Sequence, residues 1–139
     1  MERGYLKIEE RGDKQFVVTA QLVDSTVWLT KHEIADLFNV FVSTIGNNIR
    51  YLFKSGLLSK EAVTRIQKIE PNGCYSETTY YNLEVIVLLS YRINSLEAKA
   101  FRMWMLESVC FLCNAEQKKV ANVLNVYSLN SNLPSIILN

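Results

Sequence analysis

A single histidine, His32, is all the imidazole this 139-residue chain contains. Any Ser-His-Asp or Cys-His arrangement would have to be built around that one ring. The five glycines, Gly4, Gly12, Gly46, Gly56 and Gly73, are scattered, which excludes a Gly-rich loop that cradles phosphates. Three cysteines, Cys74, Cys110 and Cys113, are too few and odd in number for a disulfide framework. Cys110 and Cys113 have the two-residue gap seen in zinc sites, but a structural zinc normally takes four Cys or His ligands. Nothing in the sequence brings four together. In an apolar helical segment the two cysteines share one face, so buried, reduced thiols are expected. Carboxylate pairs such as Glu9-Glu10 lie in charged sequence. None of the seven tyrosines is flanked by the Arg and His clusters of phosphoryl transfer. The expectation is a protein that is not an enzyme and takes no metal and no cofactor.

No apolar run approaches the roughly 18 to 20 residues of a membrane span. The opening residues, MERGYLKIEERGDK, are charged and have no apolar centre, so no secretion signal is read and a cytoplasmic location is expected. Hydrophobic residues make up 49% and charged residues 21%, enough to pack a core. The length suits one domain with a short appendage. The net charge of +1 is small for a nucleic-acid binder, but its distribution is uneven. Residues 1–40 sum to −2 and residues 70–139 to −1, while residues 41–69 carry Arg50, Lys54, Lys60, Arg65 and Lys68 against Glu61 alone, a net +4.

That basic segment opens on the most informative stretch, Thr30 to Lys54, which reads as two short helices hinged at Asn39-Val40. Thr30 and Glu33 form a capping box. Ile34, Leu37 and Phe38 give the first helix one apolar face. Asn39 stands at the sharp turn, where a residue tolerant of left-handed backbone is needed. Ile45, Ile49, Leu52 and Phe53 give the second helix its apolar face. Ser43, Asn47, Arg50, Tyr51 and Lys54 fall opposite, a face with donors, two cations and no acid. Such a face suits a helix laid in a major groove. Two amphipathic helices with a short turn also occur in ordinary bundles.

Around this unit, Gln15 to Val23 reads as a strand, Asp24-Ser25 as a turn, and Thr26 to Leu29 as its hairpin partner. Gly4 to Glu9 adds an edge strand. Ser59 to Ala62 makes one helical turn. Val63 to Ile69 and Tyr75 to Tyr81 pair around Glu70-Pro71-Asn72-Gly73, in the position of a wing. Asn82 caps a buried helix from Leu83 to Tyr91. Ser95 caps a longer one from Leu96 to about Asn114, with Phe101, Met105 and Leu112 on a core face. Glu116 to Asn125 continues as a further helix, and Tyr127 to Asn139 is a tail or docking arm.

These residues resemble the N-terminal region of the RhuM family, bacterial proteins often associated with mobile or phage-derived DNA. The resemblance rests on Val27-Trp28-Leu29-Thr30, Ile34-Ala35-Asp36-Leu37-Phe38 with Val40, Ser43-Thr44-Ile45 and Ile49. It continues through Tyr81-Asn82-Leu83, Ile86, Tyr91-Arg92 with Asn94-Ser95, and Phe101-Arg102 with Trp104. The block of Ser95, Ala98, Phe101, Arg102 and Trp104 is also similar to Bro-N-type phage antirepressor domains. The match runs from roughly Phe16 to Leu112 and implies a DNA-binding or phage-regulatory protein; it does not imply a catalytic activity. Relatives usually carry Gly where this chain has Asn39, and Ser with a basic residue where it has Phe41-Val42. Phe41 and Val42 fall on the apolar side and are expected to pack inward. Family members commonly run longer, so a C-terminal effector segment is expected to be missing.

The predicted fold is α+β, a winged helix-turn-helix-like domain with an N-terminal β-hairpin and C-terminal helices. Residues 1–114 form the domain, and residues 115–139 a C-terminal helix and tail that serve as an oligomerisation arm. The expected partner is double-stranded DNA, bound by a homodimer on half-sites about 34 Å apart, in the service of transcription regulation. Ser43, Asn47 and Arg50 are the groove-facing candidates, Asn47 suited to adenine and Arg50 to guanine, and Thr44 is a further DNA-binding candidate. Lys31, Lys54, Arg65 and Lys68 are the phosphate candidates. The alternative is an antirepressor-like module that captures a protein partner and does not bind DNA.

Overall fold

The computed structural model describes residues 1–124; the expected tail from Tyr127 to Asn139 lies outside the described residues. The fold is α+β. Its order is β1 (Tyr5–Glu10), β2 (Phe16–Gln21), α1 (Lys31–Phe38), α2 (Val42–Lys54), α3 (Lys60–Val63), β3 (Thr64–Ile69), β4 (Ser76–Tyr81), α4 (Leu83–Arg92) and α5 (Leu96–Leu124). Two compact units divide after Phe101.

The N-terminal hairpin differs from the expected pairing. β2 pairs with β1, from Tyr5 opposite Gln21 to Glu10 opposite Phe16, and not with Thr26–Leu29. Asp24 and Ser25, both at positive φ, close only a single bridge between Val23 and Thr26. Beyond it the backbone groups go elsewhere. Trp28 donates its N–H to the Arg3 carbonyl at 2.9 Å, and Leu29 exchanges two hydrogen bonds with Tyr81 at 3.0 and 2.8 Å. Residues 28–29 thus strap the segment before β1 to the end of β4. Gly4 makes that strap fit: its φ is +67°, and a Cβ would stand 2.4 Å from the Gln21 carbonyl oxygen.

α1 starts in the predicted capping box. Thr30 Oγ1 accepts from the Glu33 N–H at 3.2 Å, and the Glu33 carboxylate accepts from the Thr30 N–H at 3.1 Å. The helix ends at Asn39, in the left-handed conformation with φ 55° and ψ 51°. Asn39 and Val40 donate back to the Asp36 and Ala35 carbonyls, a Schellman closure. α2 follows after three residues, Asn39, Val40 and Phe41. Its buried residues are Ile45, Ile49 and Leu52, and it packs against α1 and α4. Phe41 does not pack inward: it is 81% exposed, and Val42 is half-buried. Phe41 precedes the helix, with extended backbone at φ −69° and ψ 145°, so helical angles do not set its direction.

β3 and β4 form the second hairpin, Thr64 opposite Tyr81 to Ile69 opposite Ser76, closed through Asn72 and Gly73 at positive φ. The Asn82 side chain accepts from the Val85 N–H at 3.3 Å and caps α4, which buries Val85, Ile86, Leu89 and Ser90. Ser95 Oγ accepts from the Ala98 N–H at 3.1 Å at the start of α5. In the first unit, Phe38 and Phe101 meet edge to face with centroids 5.7 Å apart, in a core that includes Val27, Ile34, Ile45 and Leu89.

α5 is one helix through Leu124, where a break after about Asn114 was expected. Of its expected core face only Phe101 is buried; Met105 is half-buried and Leu112 is 62% exposed. The thiols of Cys110 and Cys113 are half-buried, not buried as expected, and Cys74 is exposed.

Candidate functional site

The outer face of α2 carries Ser43, Asn47, Arg50 and Lys54, all exposed. At 100° per residue these four lie within about 60° of one another around the helix axis. Ile45, Ile49 and Leu52 occupy the other side and anchor the helix in the core. Thr44 is half-buried on the flank. Gly46 borders the row; a Cβ there would meet open space, so its absence leaves the surface low at a cost of about 1 kcal/mol in helix stability.

The Arg50 guanidinium donates to Asn47 Oδ1. That contact holds the two side chains together along the row and leaves the Asn47 amide N–H groups to point away from it. An adjacent guanidinium and carboxamide offer donors in a plane, the arrangement that reads acceptors on a base edge. No acid stands on the face between Phe41 and Lys60.

The other candidate cations are dispersed. Lys31 is half-buried in the first turn of α1. Arg65 and Lys68 are both exposed on β3, but three residues apart on a strand they point to opposite faces. Arg65 lies over the Trp28 ring at 4.2 Å from its centroid. Lys68 is 3.8 Å from the Glu77 carboxylate across the ladder, so part of its charge is answered within the hairpin. His32 is exposed.

Three exposed groups beside the row are not among the residues expected to bind DNA. Phe41 stands at the start of α2. Tyr51 is 52% exposed on its flank. Arg92, the last residue of α4, lies over the Tyr51 ring at 3.9 Å and donates from Nε to Asn48 Oδ1 at 2.8 Å. Tyr51 was legible from the helical wheel. Arg92 was not, because it lies 44 positions from Asn48 and nothing local marks that contact.

Among the described residues, no three His, Cys, Asp or Glu side chains come together in a way that would hold a metal ion. Nor is any helix among them long and apolar enough to cross a membrane. Compared with protein families, curated proteins and solved structures, the chain matches none.

Proposed function

We propose that this chain is a regulatory protein of mobile-element or prophage origin that binds double-stranded DNA through α2. On this reading α1 and α2 are a helix-turn-helix, α2 is the recognition helix, and the β3–β4 hairpin is its wing. The observation that carries it is the row Ser43, Asn47, Arg50 and Lys54: exposed, cationic, free of acids, on a helix whose other side is fixed in the core. Asn47 and Arg50 read base edges, and Lys54 with Lys31 anchors phosphates. The residue-level resemblance to the RhuM family supplies the biological setting.

One recognition helix reads few bases, so the protein acts as a homodimer on two half-sites. Contact with about four phosphates gives a slope near −3.6 in log K against log salt. The test is duplex binding at two salt concentrations, wild type beside Arg50→Ala. Salt-sensitive binding that weakens about tenfold or more in the variant supports the reading, about 1–3 kcal/mol being the worth of one good base contact. No binding at low salt removes it.

Phe41 favours a second reading, an antirepressor-like module that captures a protein. An aromatic ring 81% exposed at the edge of the row is the kind of anchor that protein interfaces bury. Under that reading the row contacts a protein, and duplex DNA does not bind.

A further inference from the structure

We infer that Arg92 is a second, preorganised anchor for a DNA phosphate, on the flank of α2 away from the β3–β4 hairpin. The inference rests on the DNA-binding reading and adds to it a residue from a different helix.

The geometry is a relay of held groups. Asn48 Nδ2 donates to the Thr44 carbonyl at 2.8 Å, which fixes the carboxamide and aims Oδ1 outward. Arg92 Nε donates to that oxygen at 2.8 Å, and the guanidinium lies over the Tyr51 ring at 3.9 Å. One edge of the guanidinium is thereby spent and one face covered. The two terminal nitrogens have no acceptor among the described residues, and Arg92 is exposed. A planar, permanently charged fork held in place with its tip open is what bidentate phosphate binding requires. Much of the rotamer freedom that a loose arginine would lose on binding is already lost.

The position also fits. Phe53 stacks on Tyr81 of β4 with centroids 6.5 Å apart, so that side of α2 faces the second hairpin. Tyr51 lies about 160° away around the helix axis. A helix in the major groove has a sugar-phosphate strand on each side. The hairpin lies on one flank of the row, and Arg92 extends the other.

A merely structural Arg92 would staple α4 to α2 through Asn48 and Tyr51. The salt slope separates the two roles, because loss of stability lowers the active fraction of protein without changing the number of counterions released per complex. The probe is a mixed-sequence DNA duplex, titrated over a range of salt with full-length wild type, Arg92→Gln, Arg92→Lys and Arg50→Ala. Arg92→Gln is expected to weaken binding several-fold and to reduce the slope by about 0.9 for each copy bound, about 1.8 for a dimer. Arg92→Lys restores the slope but recovers affinity only in part, since a lysine is a point charge without a fork. An Arg92→Gln slope equal to wild type overturns the anchor, while binding lost in Arg50→Ala would leave the recognition-helix reading standing. A wild-type protein with no salt-sensitive binding overturns both.

Discussion

Glu33 links the first helix to the segment before β1. Its carboxylate closes the capping box and also accepts from Arg3, whose guanidinium stands 2.7 Å away and lies over the Tyr80 ring at 5.1 Å. Partial burial pushes the Glu33 carboxyl upward, but hydrogen bonds from the Thr30 N–H and from Arg3 outweigh that and hold it below its ordinary value of 4.5. A carboxylate held low stabilises the fold in full above the ordinary value, and the contribution is lost as pH falls through the lower folded value. Glu33→Gln keeps the capping geometry and removes the charge. It is expected to cost about 0.5–1 kcal/mol at neutral pH, a small sum because both side chains are partly exposed. Thermal melts of the two proteins from pH 7 to pH 3 check this: the gap between them closes below pH 4.5, and a constant gap refutes the linkage. Much at this scale was legible in the sequence. The Thr30–Glu33 box and the row on α2 follow from spacing alone. The stacking of Arg65 on Trp28 and of Arg92 on Tyr51 was not, because side chains distant in sequence meet only after the chain folds.

At the scale of elements, the helix pair is well specified at its first end and poorly at its second. α1 has a full capping box and a left-handed Asn39 closure, whereas α2 begins at Phe41 with no side-chain hydrogen bond to its first turn. Phe41→Ser supplies the missing acceptor at a position whose backbone is already extended, as a cap requires. The expected gain is about 1 kcal/mol, read as a higher midpoint in urea unfolding with an unchanged slope. The same variant separates the two functional readings. Duplex binding persists in it if α2 reads DNA through the row, and capture of a protein partner is lost if Phe41 is the anchor. The second hairpin was legible because Pro71, Asn72 and Gly73 form strong turn chemistry between two β-branched runs. The first was misassigned because Asp24-Ser25 carries an equally good turn signal. Only the tertiary hydrogen bonds of Trp28 and Leu29 show that this turn closes no ladder.

At the scale of the whole molecule, net charge is nearly neutral, and the proposed interface is small and local. A single α2 presents four exposed residues in one row, too few to specify a site against a genome of competitors. Two copies on adjacent half-sites would double the contacts, and α5 has the chemistry to join them. Within residues 102–114 Phe111 is 73% exposed, Leu112 62% and Met103 49%, on a helix with few charges. Apolar area of that kind is unfavourable in water and favourable against a second helix. The protein is therefore expected to sediment at about 32 kDa, twice the chain mass of 16.0 kDa. Phe111→Glu with Leu112→Glu should return it to a single-chain mass, because association would then bury two unpaired carboxylates per helix. Both positions lie in the second unit, beyond Phe101, so the helix pair should keep its own melting transition. The monomeric variant should bind an isolated half-site as wild type does and lose the extra affinity for two half-sites about 34 Å apart. Sedimentation equilibrium beside titration of both duplexes decides it: a wild-type mass of one chain removes α5 from the interface and leaves each α2 to act alone.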